Sequence, residues 1–259
     1  MGVLYGVFLL STGSHFGRRF ASCPIGKCLK PPGHEYDEPQ HCHSGPGRKT
    51  HRSGPRVMML DSTSVKGRIL DAAAQAFATH GVDQTSIDDI ARDLGATKGK
   101  IYHHFGSKSE LVCAIRKHSV QLTLERVRPQ FDAPLSPPEK FHAMAKAHVI
   151  AMISELAYHR VVVEEMRGSK TGGATPAERA LRLEIAALQS EYEGFFRSTL
   201  ATGIASGHFR DQDISIAVRS FLMMLHAPIY WYQPRDAENI ATIAEQLANM
   251  ALGAVAMPQ

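Results

Sequence analysis

Two short helical segments joined by a three-residue turn constrain this chain more than any other feature. Ile87, Ile90, Ala91 and Leu94 recur at the three- and four-residue spacing of one helix face, Gly95-Ala96-Thr97 interrupts them, and Ile101 and Phe105 resume the spacing. So short a turn leaves the helices no choice but to cross steeply over a shared apolar patch, and the Thr97 hydroxyl can cap the second one. Upstream, Val65, Ile69, Ala73 and Phe77 repeat every four residues, and Gly81 stops that helix at a cap position. Thr85-Ser86-Ile87-Asp88 offers a hydroxyl with a carboxylate three residues later. Ser107-Lys108-Ser109-Glu110 repeats that pattern and opens a fourth helix running towards Arg128. Pro129, Pro134, Pro137 and Pro138 then break the chain and mark a domain boundary.

Helical periodicity continues over 139–156, 158–167 and 176–206, with 168–175 as a loop. Gly207 follows the third of these, and Phe209 can fold back on its last turn. Two more amphipathic helices lie near 214–232 and 237–255, divided by Gln233-Pro234. No alternating strand pattern intervenes. The expected fold is all-α: a three-helix, helix-turn-helix domain (63–123, motif 86–105) followed by a helical ligand-binding and dimerisation bundle (124–259).

Residues 1–57 read differently. Pro31-Pro32-Gly33, Ser44-Gly45-Pro46-Gly47 and Ser53-Gly54-Pro55 punctuate the segment, and no helical period survives more than a turn. A disordered or mis-annotated extension is the reading these residues favour, with Met58 or Met59 as the true start. A targeting segment remains an alternative, although the apolar run at 3–10 follows no Lys or Arg. A metal site built from Cys23, Cys28, Cys42, His41 and His43 is another, but its ligands lack tight zinc pairing. The run at 3–10 is far short of the roughly 20 residues that span a bilayer, so no membrane partner is expected. The net charge of +4 is concentrated in this segment, so it says little about the folded part.

Local placement of charge is more telling. With Ile101 and Phe105 inward, the second short helix turns Lys98, Gly99, Lys100, Tyr102, His103 and His104 outward, and none of these is a carboxylate. Lys98 and Lys100 suit guanine acceptors or phosphates, and Gly99 would allow close approach to a base edge. Tyr102, His104 and Lys108 are placed for the sugar-phosphate backbone, and the helix starts at Thr85 and Thr97 for phosphate oxygens. The alternative is plain architecture with an idle polar face.

Residues 67–111, ending in Lys98-Gly99-Lys100-Ile101-Tyr102-His103-His104-Phe105-Gly106-Ser107-Lys108-Ser109-Glu110-Leu111, closely resemble the DNA-binding domain of TetR-family transcriptional regulators. The resemblance implies operator contacts at Thr85, Thr97, Lys98, Gly99, Lys100, Tyr102, His103, His104 and Lys108. It also implies a homodimer on palindromic double-stranded DNA in the bacterial cytoplasm, associated with the nucleoid and released by a small effector. Lys100 departs from the small hydroxyl often found at its position. Gly207-His208-Phe209-Arg210 and Trp231-Tyr232-Gln233-Pro234 look like regulators of acyl or sterol breakdown, which implies an acyl-CoA or steroid-derived thioester.

Read on their own, the C-terminal helices offer Met144, Met152, Phe195, Phe196, Met223, Met224 and Trp231 as pocket lining, with core packing as the competing role. Arg160, Arg167, Arg179, Arg182 or Arg197 would meet an anionic head group. Ile214, Val218, Phe221 and Leu225, with Ile240, Ile243, Leu247 and Met250, form two apolar stripes suited either to a four-helix dimer interface or to burial within one chain. The fourth helix, spanning both domains, is the expected lever between ligand and DNA. Catalysis is not expected: no Gly-rich phosphate loop, H-E-x-x-H or G-x-S-x-G occurs, His142 and His148 lie on different helix faces, and adjacent Glu164 and Glu165 diverge. Neither a cofactor nor a metal is implied. The rival function is an activator, or a nucleic-acid-binding module without ligand control.

Overall fold

A computed structural model describes residues 64–167, 175–234 and 239–257, without the side chains of 166 and 167. The expectations for residues 1–57, Met58 and Met59 lie outside the described residues. The described elements are helices α1 (Val65–His80), α2 (Ile87–Asp93), α3 (Lys98–His104), α4 (Lys108–Asp132), α5 (Pro137–Ser154), α6 (Leu156–Arg167), α7 (Pro176–Ala205), α8 (Ile214–His226), α9 (Pro228–Trp231) and α10 (Ile240–Val255). Among the described residues there is no strand, only an isolated antiparallel bridge between Phe209 and Ala256.

Caps set the boundaries of the head. Ser64 accepts from the Gly67 N–H at 2.9 Å to open α1. Gly81 closes it at φ +89°, a conformation a side chain would strain, with its N–H on the Phe77 carbonyl. The α2 cap is displaced by one residue from the sequence expectation: Ser86 and Asp89 form the capping box. Thr85 is unavailable because its buried hydroxyl donates to the Gly81 carbonyl at 2.8 Å, satisfying the end of α1 instead. Thr97 caps α3 and Ser107 caps α4 through their side-chain oxygens.

Ile69, Ala73 and Phe77 of α1 pack with Ile87, Ile90, Ile101, Phe105, Leu111 and Ile115 into one core. Tyr158 and Val161 of α6 complete that core. The head therefore borrows a helix from well beyond its sequence segment. Pro129 does not end α4, which continues to Asp132. Proline costs a helix the hydrogen bond to the carbonyl four residues back. That carbonyl belongs to Glu125, which is exposed, so water can replace the missing donor.

A second core joins α4, α5, α7, α8 and α10. Phe141 anchors it, with the rings of Phe221, Phe196 and Phe209 at centroid distances of 4.9, 5.9 and 5.9 Å. Phe209 arrives there because Gly207 turns the chain at φ +74° and the Gly203 carbonyl accepts the N–H groups of His208 and Phe209. The helix expected over 214–232 is divided into α8 and α9, since Pro228 supplies no donor to continue the ladder. The span Ile214–Trp231 is long and apolar enough to cross a membrane by composition. Val218, Phe221, Leu222 and Leu225 spend that apolarity on the chain's own core.

Candidate nucleic-acid interface

Ile101 is 0% exposed and fixes α3 against the head core. The opposite face carries exposed Lys98, Gly99, Lys100, Tyr102 and His103, with His104 half-buried beside His103 at a ring distance of 5.2 Å. Tyr102 is 43% exposed, large for an aromatic ring with no solvent task. Lys108 is half-buried, its ammonium 5.8 Å from the centre of the Phe77 ring. Two corrections apply. The Thr85 side chain is turned inward, as described above, and does not share this face. The face is free of carboxylates in sequence but not in space: Asp88 of α2 reaches across to Lys98 at 2.7 Å and raises the lysine's pKa. Lys66 of α1 adds a cation near the end of α3, 5.3 Å from the Phe105 ring centre. Its contribution was invisible in sequence, because only the packing of α1 on α3 brings it there.

Gly99 is informative. A Cβ there would meet nothing nearer than Thr97 Oγ1 at 4.0 Å, so internal packing does not demand a glycine. Glycine inside a helix costs about 1 kcal/mol relative to alanine. The fold gains nothing for that cost.

Hydrogen bonds tie the head to the helices behind it. The Tyr158 hydroxyl of α6 donates to Asp71 Oδ1 of α1 at 2.6 Å. The Val82 N–H, just beyond α1, donates to Glu164 Oε1 of α6 at 2.7 Å. Ser107, the cap of α4, donates to Glu178 Oε1 at the start of α7 at 3.1 Å. Burial and the adjacent Asp71 push the Tyr158 phenol well up, so it stays a donor throughout the physiological range. The Arg116–Glu165 ion pair, 2.8 Å, locks α4 to α6. The expected lever was α4; α6 adds direct ties to the head that the sequence did not indicate.

The C-terminal expectations divide. Met144, Phe195 and Phe196 lie in the second core, and Met152 packs with Ala151 and Ile229 in a smaller cluster. Met223 and Trp231 are 63% and 49% exposed. A cavity of about 410 Å³ opens between the start of α8 and the end of α10, bordered by Arg210, Ala217, Phe221, Met224 and Val255 among others. Met224 alone of the seven expected residues borders it. Arg160 is engaged with the Tyr232 carbonyl at 2.8 Å, and Arg197 with Ser215 at 2.9 Å. The Arg167 side chain lies outside the described residues.

Of the expected dimer stripe, Val218, Phe221 and Leu225 are buried in the chain's own core, with Ile214, Ile240, Ile243 and Leu247 packed partly against it. Met250 remains exposed. An amphipathic helix satisfies its strongest apolar face within its own chain first.

A helix-turn-helix head with an outward cationic face, tied by hydrogen bonds to a helical body, defines a two-domain DNA-binding regulator. Residues 69–115 match the model for bacterial regulatory proteins of the tetR family, and residues 134–255 match the tetracyclin repressor-like C-terminal domain. The chain belongs to the TetR family of transcriptional regulators and is not an enzyme. It is similar to the HTH-type transcriptional repressor KstR2 of Mycobacterium tuberculosis, 25% identical over 193 residues that cover 74% of this chain and 93% of KstR2. Among solved structures, PfmR from Thermus thermophilus is 26% identical with a TM-score of 0.64, covering 74% of this chain and 100% of PfmR. AibR in complex with isovaleryl coenzyme A and operator DNA shares the fold, with a TM-score of 0.60 at 24% identity, covering 71% of this chain and 96% of AibR.

Proposed function

We propose that this protein is a homodimeric repressor that leaves a palindromic operator when a small effector binds its C-terminal domain. It would act in the bacterial cytoplasm, on nucleoid DNA. Lys98, Gly99, Lys100, Tyr102, His103, His104 and Lys108, with the backbone at Thr97, meet the duplex. Gly99 carries this reading: a helix that accepts a glycine with open space around it is shaped for something outside the fold. Lys98 must exchange Asp88 for a phosphate or base on docking, and so exposed an ion pair, screened by solvent, is a weak competitor.

Two heads about 34 Å apart would read successive major grooves. The pairing surface is the outward side of α8 and α10, where Ile216, Ser220 and Met223 stand beside Ala241, Met250 and Gly253, all exposed and uncharged. Small residues there allow close helix approach. The effector class inferred from the sequence resemblance is an acyl-CoA or steroid-derived thioester. Differential affinity for two head arrangements is all the coupling needs.

The test is operator binding, on sites recovered by sequencing genomic DNA bound to the protein. Gly99→Ala is expected to stabilise the head by up to about 1 kcal/mol in urea unfolding. It should at the same time weaken operator binding by about tenfold or more, the cost of losing one good base contact. Lys100→Ala should lower the salt dependence of binding by about one phosphate per protomer, and Tyr102→Ala should weaken binding without that change. Unchanged operator affinity in all three variants would refute the assignment.

The α6 ties make a separate expectation. Tyr158→Phe removes the bond to Asp71 and touches no DNA. Operator affinity should fall by about fivefold or more, in the range of typical coupling energies, with an unaltered salt slope. A fall in the salt slope would mean that Tyr158 acts through the DNA contacts and not through head orientation.

A further inference from the structure

Two carboxylates stand in the first turn of α2, and their surroundings differ. Asp89 is satisfied within its own segment. It accepts from the Ser86 N–H at 3.0 Å and the Ser86 hydroxyl at 2.6 Å, and it pairs with Arg92 at 3.1 Å. Asp88 reaches instead to the other helix of the motif. Its Oδ2 lies 2.7 Å from Nζ of Lys98, the first residue of α3, and the two side chains are 55% and 51% exposed. The capping box of α2 is complete without Asp88, and an ion pair so open to solvent does little to hold two helices together. The fold thus has small use for Asp88, yet it sets a negative charge beside the cationic face of α3.

Docking on a duplex removes water from that pair. When the Lys98 ammonium turns to a phosphate or a base, the Asp88 carboxylate loses its partner close to a polyanion. A desolvated carboxylate without hydrogen-bond donors penalises the complex. Phosphates only repel it, and guanine O6 and N7, adenine N7 and thymine O4 are acceptors like itself. The donors in the major groove are exocyclic amino groups, cytosine N4 and adenine N6. Lysine has the opposite preference and suits guanine O6 and N7. An acceptor and a donor side by side on the protein therefore match a donor and an acceptor side by side on base edges.

We propose that Asp88 is a specificity-determining residue that accepts from an exocyclic amino group of the operator, cytosine N4 or adenine N6, beside the acceptor taken by Lys98. The proposal rests on the DNA-binding reading above and adds to it a residue that selects against wrong sequences. On the operator both members of the pair find new partners. On other DNA Lys98 gains a phosphate while Asp88 is stranded, so one side chain favours the right site and weakens the rest.

Binding of the full chain to its recovered operator tests this, with amino-free bases introduced one at a time. The analogue 2-pyrimidinone replaces cytosine, and unsubstituted purine replaces adenine. With the wild type, one such position in each half-site should weaken binding by about tenfold, the usual worth of one good base contact. Whether the pyrimidinone or the purine does so identifies the amino group. In Asp88→Ala that penalty should shrink to about twofold or less, while penalties at other positions persist. The variant should bind a scrambled duplex more tightly than the wild type, by about threefold or more, because a like charge has gone. Its salt slope there should steepen by up to about one phosphate per protomer, since Lys98 is free. Asp89 keeps the capping box, so urea unfolding should show a head of nearly native stability. An Asp88→Ala variant that keeps every amino penalty overturns the proposal. So does one that weakens operator and scrambled duplex alike, which would make Asp88 only a support for Lys98. A wild type that binds an operator but ignores every amino-free base overturns this proposal alone, and one that prefers no sequence fails the regulator reading itself.

Discussion

Replacing Gly203 by alanine is expected to destabilise the C-terminal bundle by about 3 kcal/mol, at the upper end of the usual cost of overpacking. On a chain of this size that corresponds to a Tm lower by roughly 6–12 °C. Gly203 sits in the last turns of α7, and the Phe209 ring lies against it. An added Cβ would stand 2.1 Å from Phe209 Cδ2 and 2.3 Å from Cε2. The ring cannot simply retreat. Its backbone is held by the Gly203 carbonyl, and its other side packs on Phe141 in the second core. The source of the damage is checked by pairing the change with Phe209→Leu, which removes the offending ring atoms. The double variant should be more stable than the sum of the two single losses predicts, since both act on one contact. Strict additivity in urea unfolding would show that Gly203 matters for another reason.

Acidification is expected to act nearly as strongly, through the buried histidines. Burial and the nearby His226 push His159 down to about 3, from an ordinary value near 6.5. His148 and His226 are lowered in the same sense. With a depressed native pKa, the unfolded chain binds protons that the folded chain refuses. The contribution is therefore fully present above about pH 6.5 and is lost progressively as pH falls towards 3. Between pH 7 and pH 5, His159 alone should withdraw about 2 kcal/mol. Glu125 and Glu155, raised by burial, run the other way; a variant that keeps both isolates the histidine. Urea unfolding at constant ionic strength measures the loss, and His159→Gln, which cannot titrate, should lose about 2 kcal/mol less. Equal losses in the two proteins would mean that His159 is not held neutral in the native state.

The buried histidines also show where sequence reading stopped. His148, His159 and His226 stand on three helices with no spacing that links them, and each taken singly looks like a core histidine. The unpartnered Nε2 atoms of His148 and His159 exist only once the helices have converged. The dimer stripe divided for a related reason. Val218, Phe221 and Leu225 were correctly read as one apolar face, but periodicity says that a face is buried, not by what. The body claimed it, leaving the weaker stripe of Ile216, Ser220 and Met223 outward. At α2 the sequence pointed to Thr85 as the cap, and the unmet carbonyl at Gly81 drew that hydroxyl away and left the role to Ser86.

Most of the helices, the caps at Gly81, Thr97 and Ser107, the three-residue turn and the outward side of α3 were legible in the chain itself. They depend on interactions within a few residues, which a sequence displays directly. Tertiary structure alone decided that Asp88 meets Lys98, that α6 completes the head and carries ties to it, and which apolar stripes remain for a partner. Those contacts join residues far apart along the chain. Their energies come from the competition between packings, and no local pattern records its outcome.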